Sequence, residues 1–253
     1  MKAMIEAVHS PSGTTSDGRI LSLVSGVGAA DFERCNPPAG LWDRIAASIR
    51  ADAEGRDDRS SGLGQVVEYC IDADDIVTTV GEGWTEFAEE NNAPELAASV
   101  GSRTLWSCFG NDEIRDVWRL IVERVRADDI ELQVPLRCDA PDTRRWFEVS
   151  VTPKEAGAVL FRSVCVYEES RAAVPLLDCA AERADDVAAV PLCSWCGHGH
   201  DGSRWLEIGQ LVRESRMLES SSMPAIEYGI CPDCREAMSV SMLVAAQSGD
   251  RPA

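Results

Sequence analysis

Lysine is almost missing from this 253-residue chain: it occurs only at Lys2 and Lys154, and the remaining basic residues are arginines. Histidine is nearly as scarce, at three residues, and aromatics make up 6%. With 43 acidic residues against 24 basic ones, the formal net charge is -19, a field that repels phosphate backbones and anionic headgroups. Nucleic acid is therefore not expected as a partner, since the arginines that cluster near the C-terminal cysteines, such as Arg204, Arg213 and Arg216, are few against that charge. No run approaches the roughly 20 apolar residues of a membrane-spanning helix, and the residues after Met1 lack the charged-then-apolar layout of a secretory signal. The expected location is the cytoplasm, with no membrane partner. Internal repeats are missing, as are a Gly-x-x-x-x-Gly-Lys phosphate loop, a Gly-x-Ser-x-Gly elbow and a His-Glu-x-x-His helix. None of His9, His198 and His200 sits in a long helical hairpin suited to phosphotransfer. An enzyme is not expected.

The length points to two folding units. Residues 1–63 are rich in Ser, Gly, Asp and Pro and are expected to be flexible, apart from an amphipathic helix at about 41–54. There Leu41, Trp42, Ile45, Ala46 and Ile49 recur at helical spacing. Such a stripe needs cover, either from the following domain or from a dimer partner.

From 64 to 169 the pattern reads strand, strand, helices, then three strands. Val66 to Ile71 and Ile76 to Val80 are β-rich runs around the turn-forming Asp72-Ala73-Asp74-Asp75, hence a hairpin. Trp84, Phe87 and Ala88 open a helical segment. Between Asp112 and Arg126, apolar residues at Ile114, Val117, Trp118, Ile121, Val122 and Val125 mark one stripe of a longer helix. Ile130, Leu132, Val134, Leu136 and Cys138 alternate with polar residues as a half-buried strand should. Pro135 cannot donate to a ladder, which puts this strand at an edge. Two further strands, Arg144 to Thr152 and Ala158 to Tyr167, complete an antiparallel meander. Residues 170–190 are expected to be a linker carrying the apolar patch Val174-Pro175-Leu176-Leu177. A second unit spans 191–244, and 245–253 is expected to be a flexible tail.

The run Tyr69-Cys70-Ile71-Asp72-Ala73-Asp74-Asp75-Ile76-Val77, then Trp84-Thr85-Glu86-Phe87-Ala88 and Leu105-Trp106, resembles a PAS domain over about 105 residues. Gly81-Glu82-Gly83 departs from the Asn that many relatives carry before the first helix. The resemblance implies an α+β fold with a five-stranded antiparallel sheet, the Pro135 strand at an edge, and flanking helices. It also implies either a small-molecule ligand between sheet and helices or a protein-contact surface. Histidine-ligated haem is excluded, because no histidine lies between 64 and 169. Cys108 sits in Trp106-Ser107-Cys108-Phe109-Gly110, unlike the Asn-Cys-Arg-Phe motif of flavin photosensors, and reads as a small buried residue. Neither haem nor flavin is expected.

Of the ten cysteines, Cys35, Cys70, Cys108, Cys138, Cys165 and Cys179 are scattered. The other four form Cys193-Ser194-Trp195-Cys196-Gly197 and Cys231-Pro232-Asp233-Cys234. Two Cys-x-x-Cys turns can each present two thiolates and together complete a tetrahedron, the ligand set of structural zinc. Cys193, Cys196, Cys231 and Cys234 are therefore the expected metal ligands in a small zinc-knuckle domain. Gly197 and Pro232 also resemble rubredoxin's knuckles, so iron remains the alternative metal. His198 and His200 are expected in loops, since four thiolates already close the site. Trp195 and Trp205 are the expected centre of a local mini-core, with a strand and short helix between the knuckles and a terminal helix from Cys234.

The segment from Cys193 through Tyr228-Gly229-Ile230-Cys231-Pro232-Asp233-Cys234 resembles a tail found on bacterial PAS and signalling proteins. Those tails usually carry His where this chain has Tyr228. Together the resemblances imply a non-enzymatic sensory or adaptor protein with a protein partner or a homodimer. The alternatives are a redox- or metal-responsive sensor that uses the four thiolates, or a rubredoxin-like iron protein.

Overall fold

The computed structural model describes residues 64, 66–81, 83–90, 103–178, 181–184, 187–215 and 223–238. The expected helix at 41–54, the rest of 1–63 and everything after 238 lie outside the described residues.

Strands β1 (Val66–Ile71) and β2 (Val77–Val80) form the expected hairpin. Its turn is built by Asp72, whose Oδ1 accepts the N–H groups of Asp74 and Ile76 at 3.0 and 2.9 Å, an Asx turn. Asp75 follows with φ 64, a left-handed conformation that Asp tolerates better than most residues. Its carboxylate accepts from Trp106 Nε1 at 2.5 Å and from Arg126 at 2.7 Å. Arg126 also donates to the carbonyls of Asp72 and Gly157, at 2.7 and 2.8 Å. One guanidinium thus ties the hairpin to a helix end and to a distant turn.

Helix α1 (Gly83–Glu90) packs on β1, and a 3-10 turn (Leu105–Cys108) leads into the 17-residue helix α2 (Asp112–Asp128). Asn111 caps α2 by accepting from the Ile114 N–H at 3.0 Å, with Asp112 and Glu113 in the first turn and Arg126 in the last, as the helix dipole favours. The predicted stripe is the buried face: Ile114, Trp118, Ile121, Val122 and Val125.

Strands β3 (Leu132–Arg137), β4 (Thr143–Pro153) and β5 (Val159–Ser170) form the antiparallel meander. All five strands make one antiparallel sheet in the order β2-β1-β5-β4-β3. The Pro135 strand lies at an edge, as its missing N–H requires. The inward residues Val67, Tyr69, Ile71, Val134, Val149, Val151, Val159 and Phe161 meet Trp84, Leu105 and the α2 stripe in the main core. Aromatic rings occupy that layer: Tyr69 stacks on Phe161 at 4.7 Å, and Trp84 meets Tyr69 edge-on at 5.4 Å.

The C-terminal part is a four-stranded sheet in the order β11-β7-β8-β9, made of β7 (Val190–Cys193), β8 (His198–His200), β9 (Trp205–Glu207) and β11 (Ile226–Gly229). Helix α3 (Ile208–Glu214) follows β9, and residues 232–238 are helical. A two-residue strand β6 (Arg183–Ala184) pairs in parallel with β10 (Met223–Pro224).

Two expectations are revised here. The segment expected as a linker is partly built into the C-terminal core: Val174 and Leu176 pack with Val190, Leu192, Leu206, Ile208, Leu211 and Val212. The Arg171 and Val174 N–H groups donate to the Asp142 and Pro141 carbonyls, both at 2.8 Å. An apolar tetrapeptide gains more from joining a core than from crossing solvent. The mini-core, in turn, is aliphatic and is not centred on Trp195 and Trp205. Trp195 is buried in the main core, stacked on Trp118 at 5.7 Å, while Trp205 is half-buried against His200. An indole needs a broad apolar surface, and α2 with the large sheet provides one that the seven-residue α3 does not.

Candidate metal centre

Strand pairing brings the two cysteine turns together. β11 runs parallel to β7 with Gly229 opposite Cys193, and the Ser194 N–H donates to the Gly229 carbonyl at 2.9 Å. The chain leaving β7 and the chain leaving β11 therefore enter their turns side by side. In the first turn the Gly197 N–H returns to the Cys193 carbonyl at 3.0 Å, with Gly197 at φ +70, a backbone position that favours glycine. In the second, the Arg235 N–H returns to the Cys231 carbonyl at 3.0 Å, and Cys234 lies in the helical residues 232–238.

The four sulfurs converge. Cys193, Cys196, Cys231 and Cys234 are all buried, and their Sγ atoms lie within 4.8 Å of one another. Cys196 and Cys231 are 3.8 Å apart, about the edge of a tetrahedron with metal–sulfur bonds of roughly 2.3 Å. Backbone N–H groups face the sulfurs: Cys231 N–H to Cys193 Sγ at 3.3 Å and Cys234 N–H to Cys231 Sγ at 3.4 Å.

Hydrogen bonds from Cys196, Cys231 and Cys234 hold the Cys193 thiol far below its usual range, against the effect of burial. The hydrogen bonds Cys196 makes with Cys193 and Cys231 push it up instead. Sulfurs this close cannot all ionise unless a cation sits among them. All four donors are soft and shielded from solvent, which suits a closed, thiolate-only structural centre.

The two histidines do not join the cluster, and they lie in strand β8, paired with β9, and not in the loops expected for them. His198 Nδ1 lies 3.4 Å from the Cys196 carbonyl, and burial with nearby Arg137 lowers its pKa. His200 Nδ1 accepts from the Gly202 N–H at 3.1 Å, and its ring packs on Trp205. Among the scattered thiols, Cys138 is buried, as are Cys108 and Cys165, and burial pushes these last two upward, Cys165 to about 12. Both behave as small apolar residues.

Sequence reasoning missed a neighbouring charge cluster. Strand alternation counts Arg137 among the polar positions, yet it is only 8% exposed. Its Nε donates to Asp139 Oδ1 at 3.1 Å, and its Nη2 pairs with Asp139 Oδ2. Arg171 Nη1 reaches Asp139 at 3.1 Å and Glu207 at 3.2 Å, and Arg144 Nη2 reaches Glu207 at 3.3 Å. Glu207 also caps α3, accepting from the Gly209 N–H at 2.8 Å. These residues come from four separated stretches, so no local pattern announces them.

Comparison with protein-family models and with curated proteins gives no match to this chain.

Proposed function

We propose that this chain is a non-enzymatic, cytoplasmic signal-transduction adaptor of the PAS type, with a structural zinc ion held by Cys193, Cys196, Cys231 and Cys234. The observation that carries the reading is the convergence of four buried sulfurs within 4.8 Å, in turns that pack on the main sheet. The five-stranded antiparallel sheet with the Pro135 strand at its edge is what a PAS resemblance implies. Zinc fits better than iron because it is redox-inert and is the common user of closed tetrahedral sulfur. The stacked aromatics between sheet and helices favour the protein-contact use of such a sheet over a small-molecule pocket. Either a second copy or another protein would be the partner. Burial of all four sulfurs favours a structural ion over a redox-responsive one, since reactive thiolates need access.

Native mass spectrometry of the full-length protein tests this reading. It is expected to show one zinc per chain and no bound small molecule. Replacing Cys193 and Cys196 with serine should remove the zinc and speed hydrogen exchange across 190–238. A metal-free wild type, or unchanged protection in the variant, would overturn the structural role.

A further inference from the structure

Arg137 joins the main sheet to the first cysteine turn in two ways. Its backbone N–H donates at 2.8 Å to the carbonyl of Trp195, which lies between the two cysteines of that turn. Its guanidinium packs beneath Gly197: a Cβ placed there would lie 3.5 Å from both Arg137 Cζ and Asp139 Oδ2. The guanidinium is fixed by the two-point pairing with Asp139, whose side chain is 3% exposed. Arg171, 6% exposed, donates to the same carboxylate, reaching Asp139 Oδ2 at 3.1 Å.

A buried ion cluster is weak evidence for stability, since apolar residues of similar volume often do as well. The placement of this one is more informative. It sits behind the turn that carries two of the four thiolates, so an outward swing of that turn is one way for an ion to leave. Swinging outward breaks the Arg137–Trp195 hydrogen bond and lifts Gly197 off the guanidinium. Four thiolates around a divalent ion also carry net negative charge, which a fixed guanidinium opposes.

We propose that Arg137, held by Asp139, is a positioning residue for the metal centre that keeps the first turn closed and slows loss of the ion. This rests on the metal reading above. Lys cannot replace it fully, because an ammonium lacks the planar fork that grips both carboxylate oxygens.

The test follows transfer of zinc from the full-length, zinc-loaded protein to a colorimetric chelator. Arg137→Gln is expected to release zinc at least about tenfold faster, the usual scale for losing a group that supports metal ligands, and Arg137→Lys should fall between. Arg126→Gln is the control. It removes the staple at Asp75 and Gly157 and should lower the thermal midpoint, yet release zinc at the wild-type rate. Wild-type release from Arg137→Gln, or equal acceleration in Arg126→Gln, would overturn the proposal. Should Arg137→Gln not fold, Arg137→Lys carries the test: faster release supports the proposal and unchanged release overturns it. A wild type that holds no zinc removes the metal reading and this inference together, whereas a zinc-bearing wild type with unaffected variants removes only the inference.

Discussion

If the metal turns and the large sheet share one core, Trp118 and Trp195 must be energetically coupled. Their rings stack at 5.7 Å with planes 28° apart, and each residue is 4% exposed. Trp118 also meets Phe161 at 6.1 Å, so the contact runs from the turn through α2 to the central strand β5. Leucine at either position keeps apolar bulk but loses the stack. Each single change should cost roughly 1–3 kcal/mol, the ordinary range for a core substitution. The pair should show a coupling of about 0.5–1.5 kcal/mol, the value of an aromatic contact beyond its buried area. Urea unfolding of wild type, Trp118→Leu, Trp195→Leu and the double variant, followed by far-ultraviolet circular dichroism in saturating zinc, gives the cycle. Additivity within about 0.3–0.5 kcal/mol, as for independent sites, would refute the shared core. Two separated unfolding steps in the wild type would refute it as well.

Asn111→Ala removes the cap of α2 and should lower stability by about 1 kcal/mol in the same urea assay; an unchanged midpoint would mean the cap contributes nothing. Glu207 predicts a pH dependence. Burial opposes its ionisation, but Arg144, the Gly209 N–H, Arg137 and Arg171 outweigh burial and hold its carboxyl below the ordinary 4.5. A depressed folded value means that its contribution is complete above about pH 4.5 and is lost as pH falls through the lower folded value. The stability gap between wild type and Glu207→Gln should therefore be constant from neutrality down to that point and close below it. A gap that persists unchanged in acid would contradict the assignment.

Much of the sheet was readable because its signals are local. Alternation from Ile130 to Cys138 marked a strand, the proline inside it marked an edge, and Asp72 to Asp75 marked a turn whose side-chain hydrogen bonds the structure shows. The α2 stripe and the paired cysteine turns were legible for the same reason: spacing along the chain becomes proximity in space. The rest depends on what covers each face. Alternation says that Arg137 points away from its apolar neighbours, but not that a second unit lies there and buries it beside Asp139. The patch at Val174 to Leu177 was visible as apolar, and only tertiary packing assigns it to the core of Leu192 and Leu211. Trp195 was recognised as a core residue, but its partner Trp118 lies 77 positions away.

The central claim is one ion bound by Cys193, Cys196, Cys231 and Cys234, and X-ray absorption at the metal edge of the purified protein tests it most directly. The account predicts zinc with four sulfur neighbours at about 2.3 Å. A shell containing nitrogen or oxygen, or a metal-free protein whose four thiols all react with an alkylating reagent in the folded state, would contradict it.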